Sequence, residues 1–178
     1  MGQPMLAQYR NCQSDDDYAQ FTLYFICNRK NFNHQFSLAD ALVHVLESIP
    51  NSRIVLITDK MGVMIGWGHY RYINAENEFD PAGEIVFVNS VIVHPSYHSS
   101  LIFAEGFRHL VQQIAAENSC VNYLQFCAQI DNEYLNRLYR KFSRIIGQRE
   151  GYYGIENVFQ ANFEELLQYV KRFERRGD

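Results

Sequence analysis

Three groups of residues in this sequence have types and spacings that could do chemistry. The first is Asn132 and Tyr139, seven apart in the run Asn132-Glu133-Tyr134-Leu135-Asn136-Arg137-Leu138-Tyr139-Arg140-Lys141-Phe142. A phenol is neutral at pH 7 and can donate a hydrogen bond to a developing anion. Both residues also have structural uses: Asn132 can cap a helix, and Tyr139 lies on that helix's apolar stripe. The second group is His69, which follows Gly66-Trp67-Gly68, and the carboxylate of Glu84. His69 can titrate near neutrality or sit at the edge of a core, and Trp67 suits a core. The third is His98-Ser99-Ser100. It offers an imidazole and two hydroxyls ahead of a helical pattern, where the serines can cap the helix. The cysteines at 12, 27, 120 and 127 form no C-x-x-C pair and have no recognisable Cys-His setting. They argue against a covalent thiol nucleophile, a zinc site or a disulfide framework, and read as reduced, mostly buried small apolar residues.

The elements that must position these groups fit one domain over 1–178. The chain is 47% hydrophobic and 15% aromatic, enough for a core without staples. A formal charge of −4 gives no basic footprint for nucleic acid. No run of eighteen apolar residues predicts a membrane span, and no secretory leader is visible, so the expected compartment is the cytosol.

A short strand is expected at 8–13. Ser14 then caps a helix whose Asp15, Asp16 and Asp17 complement the helix dipole, a better use for adjacent carboxylates than a metal site. Leu38, Ala41, Leu42, Val45, Leu46 and Ile49 form one apolar stripe on a second helix, ended by Pro50 and Asn51. Strands follow at 53–58, 63–73 and 84–93. The glycines at 66 and 68 mark a bulge or close backbone approach. A helix over 99–118 carries Phe103, Phe107, Leu110, Val111 and Ile114 on one face. A strand at 121–128 precedes a helix over 131–146, with Ile145 and Ile146 on its inner side. Two closing strands, 152–155 and 158–161, and a helix over 163–173 complete the chain. The strands at 84–93 and 121–128, joined through a helix, are expected to be parallel.

This element order, the Asn132-to-Tyr139 run and the strand end Val91-Ile92-Val93-His94-Pro95 resemble the GNAT superfamily of acyl-CoA-dependent N-acyltransferases. The resemblance implies a mixed, mostly antiparallel sheet with a parallel central pair and helices on both faces. It implies that Val91, Ile92 and Val93 pair through their backbone with the pantetheine chain of acetyl-CoA or a related acyl thioester. Asn132 would contact the same chain, and Tyr139 would protonate the leaving thiolate. The pyrophosphate would lie against His98, Ser99 and Ser100. The family's two glycine positions in that loop hold Leu101 and Phe103 here, and Ser143 and Arg144 replace a Gly-Phe pair after the helix.

What the resemblance implies is acyl transfer to an amine by direct attack in a ternary complex. Base candidates are Glu84, His69, Asn89 and Ser90. No metal is implied. The alternative is a non-catalytic member that binds a partner or regulatory ligand. A homodimer through the aromatic-rich strands or the last helix is left open.

Overall fold

The computed structural model describes residues 7–32, 34–97 and 100–174, with 100, 101 and 172–174 described through their backbone. The elements run β1 (Gln8–Asn11), α1 (Asp15–Phe32), α2 (Leu38–Asn51), β2 (Arg53–Thr58), β3 (Met64–Ile73) and β4 (Ile85–Val93). After a 3-10 turn, Pro95–Tyr97, come α3 (Ser100–Glu117), β5 (Tyr123–Gln129), α4 (Glu133–Tyr139), β6 (Arg144–Gly151), β7 (Gly154–Asn162) and α5 (Phe163–Glu174). The strands form one seven-stranded sheet in the order β1-β2-β3-β4-β5-β7-β6, flanked by helices. The β4–β5 pair is parallel, while the β1–β2, β2–β3, β5–β7 and β6–β7 pairs are antiparallel. Among the described residues no helix is long and apolar enough to cross a membrane.

The chain divides into two compact units, one built from 3–70 and 90–109, the other from 71–89 and 110–178. In the first, Ser14 caps α1 as expected: its hydroxyl accepts from the Asp17 amide at 3.2 Å. Buried Asp17 accepts in turn from the amides of Gln13 and Ser14 and from Arg10. The backbone bond from Gln13 leads the effects that hold its carboxyl below the usual range. Ser37 and Asp40 form a capping box on α2. Phe21 and Phe25 of α1 pack edge-on against Trp67 of β3. Tyr9 of β1 donates to the Ile102 carbonyl at 3.0 Å and stacks on His109, fastening this part of α3.

In the second unit the core is built on Val86, Val111, Ile114, Leu124 and Phe159, all essentially inaccessible. Tyr72 donates to Glu117 of α3 at 2.8 Å.

Several expectations are corrected. The helix over 131–146 ends at Tyr139. The Tyr139 carbonyl is taken by the Phe142 and Ser143 amides and by the Ser143 hydroxyl, which closes the helix in a turn. Ile145 and Ile146 then belong to β6 and are partly exposed. The two closing strands are one, β7, paired with β6 from Arg144↔Gln160 to Gly151↔Gly154. Gly154 turns the hairpin at φ +134°, a region that strains other residues. On α2 only Ala41, Val45 and Ser48 are buried, whereas Leu38, Leu42 and Leu46 are exposed; the packed ridge is the one with small side chains, and Pro50 lies inside the helix. On α3 Val111 and Ile114 are buried as expected, but at its start Ile102 is the buried residue and Phe103 is exposed, stacked on Phe107. None of the four free cysteines is fully buried, and Cys27 and Cys120 are exposed.

Candidate active site

In the first unit the site starts from glycine. A Cβ at Gly66 would overlap the carbonyl oxygen of Ile92, so only glycine lets β3 lie this close to β4. The sequence signal for close backbone approach is thereby confirmed. His94 N donates to Ile65 O at 2.7 Å and continues the contact. Val91 is half-exposed, and Ile92 and Val93 are partly buried.

His69 is buried, and its Nε2 shares a 2.8 Å hydrogen bond with the Ser90 hydroxyl, directly before Val91. A strand neighbour thus ties an imidazole to the start of the expected cofactor segment. The His69 ring also meets Trp67 and His44, each with centroids 5.2 Å away. His44 is a residue that sequence reasoning missed. It lies among Phe25, Phe32, Phe36 and Trp67, and its buried Nε2 has no hydrogen-bond partner among the described residues. Burial holds its pKa below the usual histidine value, against a smaller opposing effect of Glu47. His98 and Ser99 lie outside the described residues, as does the Ser100 side chain; the Ser100 backbone opens α3.

In the second unit the parallel ladder covers Ile85–Val88 against Tyr123–Phe126. Beyond it β5 stays paired with β7 through Gln129↔Glu156. Glu84 is exposed just before β4, and its carbonyl accepts from the Asn122 and Tyr123 amides. Its backbone therefore anchors the start of the ladder.

Tyr139 is the last residue of α4. Its ring is held edge-on by Phe126 at 4.6 Å, Phe159 at 5.5 Å and Phe142 at 6.1 Å. Its hydroxyl makes no hydrogen bond with the described residues, and burial raises its pKa, so the phenol stays protonated at neutral pH. Asn132 caps α4, with Oδ1 accepting from Leu135 N at 3.1 Å and its amide group still available to donate. The buried amide of this helix is Asn136. It donates to the Gln129 carbonyl at 2.7 Å and the Asn132 carbonyl at 2.8 Å, and accepts from Asn157 at 2.7 Å. Asn157 accepts from Gln148 at 3.0 Å. This chain holds the start of α4 against β5 and β7. Asn136 stood in the quoted run, but the donor to its Oδ1 comes from Asn157 of β7, far along the chain.

A cavity of about 380 Å³ opens elsewhere in this unit, lined by Asn118, Asn122, Asn162 and Phe163, and contains none of these candidates. Among the described residues, no three His, Cys, Asp or Glu side chains cluster as metal ligands.

No protein-family model matches the sequence, and no curated protein matches it. Solved structures share the fold. An acetyl transferase from Salmonella typhimurium that modifies the N-terminal serine of a 50S ribosomal subunit protein matches with TM-score 0.64 and 14% identity, over 89% of this chain and 96% of that one. A ribosomal-protein alpha-N-acetyltransferase in complex with coenzyme A matches with TM-score 0.63 and 13% identity, over 89% and 96%. An acetyltransferase of the GNAT family from Streptococcus pneumoniae matches with TM-score 0.61 and 14% identity, over 88% and 98%. At these identities the likeness is one of fold: the chain has the GNAT fold.

Proposed function

We propose that this protein is an N-acyltransferase that takes its acyl group from acetyl-CoA or a related thioester and passes it to an amine by direct attack. The observation that carries the reading is Tyr139, a protonated phenol whose ring is clamped by three aromatics while its hydroxyl makes no hydrogen bond with the described residues. The shared fold with acetyltransferases, one of them in complex with coenzyme A, supports the donor class. In this reading the backbone of Val91, Ile92 and Val93 holds the pantetheine chain, and Asn132 donates to it from its free amide. Tyr139 gives its proton to the departing thiolate. The base is His69, tied to Ser90 beside the cofactor segment. Glu84 fits less well: an extended strand rises about 3.3 Å per residue, and seven residues separate Glu84 from Val91.

The test is binding and then turnover. Acetyl-CoA at a hundred times its dissociation constant raises unfolding free energy by about 2.7 kcal/mol. Tyr139→Phe keeps that binding and lowers kcat about 100-fold. No stabilisation by acetyl-CoA, other acyl-CoAs or free coenzyme A overturns the donor assignment, and an unchanged kcat removes Tyr139 as the acid.

A further inference from the structure

The sheet face opposite Phe126 carries charge that the proposed reaction does not use. Phe87 of β4 is buried, and two guanidinium groups lie on its ring: that of Arg71 from β3 at 5.8 Å and that of Arg149 from β6 at 4.9 Å from the centroid. Stacking on an aromatic face fixes a guanidinium plane and leaves its edge to donate. Arg149 is neutralised, since its Nε donates to Glu156 at 2.9 Å. Arg71 is not. Its Nε is buried, and the side chain makes no hydrogen bond or ion pair with any described residue. A buried donor without a partner is destabilising, and such groups call for an explanation.

Glu156 is engaged by Arg149, and the neighbours across the sheet supply donors. Phe87 is opposite Gln125 in the parallel ladder, and Gln125 is opposite Gln160 across β5–β7. Directly opposite residues share a face. Gln125 donates to Gln160 at 2.9 Å, which leaves the Gln160 amide group to donate elsewhere. Cys127, two residues along β5, shares the face, and burial pushes its thiol up to about 11 despite Arg149 beside it. It is therefore a neutral thiol and cannot serve as the anion.

We infer that Arg71, with Arg149 and Gln160, forms a carboxylate-binding site on this face that recognises an acidic group of the molecule whose amine is acylated. The inference rests on the acyltransferase reading for its biological use, but its physical content does not. One guanidinium fork lacks a partner, and one carboxylate matches it in charge and in planar two-oxygen geometry. A phosphate dianion would bring a charge of two to a site lacking one.

The test follows the Arg71 Nε–H resonance in the full chain during titration with sodium succinate, at ionic strength held constant with chloride. A saturable shift is expected in the wild type. Arg71→Gln abolishes it, read on the Gln125 and Gln160 side-chain amides, and Arg71→Lys weakens affinity about tenfold because the charge stays and the fork is lost. A shift that chloride reproduces overturns the site, and inorganic phosphate saturating more tightly than succinate overturns the carboxylate assignment. Acyl transfer from acetyl-CoA to an Asp-containing peptide is then compared with its Asn counterpart. A kcat/KM preference for the acidic peptide, lost in Arg71→Gln, supports both inferences. Succinate binding without transfer from any thioester sinks the acyltransferase and leaves the site; transfer without acidic preference or a succinate shift does the reverse.

Discussion

Two aromatic clusters each enclose polar side chains, and they treat them differently. Around α4, Phe126, Phe142 and Phe159 surround Tyr139, and beside them runs the chain from Gln148 through Asn157 to Asn136. Asn136 uses both its amide group and its carbonyl. In the α1–α2–β3 nest, Phe25, Phe32, Phe36 and Trp67 surround His44, whose Nε2 has no partner among the described residues. A paired amide cannot change charge, so its value is lost only when the group itself is removed. An unpaired imidazole carries a standing desolvation cost and can take up a proton. The first region is built to hold a helix in place, and the second to respond to its surroundings.

The largest effect is expected where the pairing is complete. Asn136→Ala takes one of two donors from each of the Gln129 and Asn132 carbonyls and leaves the Asn157 amide unpaired inside the protein. The loss is about 3 kcal/mol of unfolding free energy, read from urea titration at pH 7. An Asn136→Ala, Asn157→Ala pair should lose less than the sum of the two single changes, because each removes the other's partner. A loss below about 1 kcal/mol, or strict additivity, breaks the contrast between the regions.

A middle-sized effect separates two glycines of β3. Alanine at 66 must displace the backbone carbonyl of Ile92, whereas alanine at 68 meets a Val91 methyl at 3.3 Å that can rotate away. Gly66→Ala is expected to cost about 2 kcal/mol and Gly68→Ala less than half of that. On the acyltransferase reading, Gly66→Ala also weakens acyl-CoA binding, since Ile92 and Val93 must move. Equal costs at the two positions would mean that the strands yield as easily as a side chain.

Much of this was legible in residue order. Ser14 with Asp17, the capping role of Asn132, the close approach at Gly66 and the parallel β4–β5 pair follow from local chemistry and periodicity. The overshoot of α4 has a physical cause. Ile145 and Ile146 continue a helical spacing, yet a short apolar run serves a strand equally well, and the choice falls to pairing with β7. The α2 stripe is wider than its buried ridge for a related reason: periodicity marks apolar residues, but packing against the rest of the fold sets how many are covered. His44 was invisible because its surroundings come from other segments, Phe25 and Phe32 in α1 and Trp67 in β3. Arg71 and Arg149 are far apart in sequence, and only the sheet brings both to Phe87.

The smallest effect tests the unpaired region most directly. His44→Phe removes a buried nitrogen without a partner and keeps a ring among rings, so at pH 7.5 stability should be unchanged or higher by about 1 kcal/mol. The acid side then divides the two proteins. Burial lowers the folded pKa of His44 below the ordinary 6.5. The unfolded chain therefore takes up the proton first, and the contribution of His44 to stability is fully present above pH 6.5 and falls as the pH drops below it. Glu47 on α2 opposes this shift, and His69 faces His44 from β3. His44→Phe lacks the group, so urea midpoints compared at pH 7.5 and 5.5 should fall further for wild type than for the variant. His69, tied to Ser90, remains in both proteins, so the difference between them reports His44 together with any coupling to His69. Parallel pH dependence in the two proteins would show that the nest tolerates a charged imidazole, and that its free nitrogen is matched as well as the amides of α4.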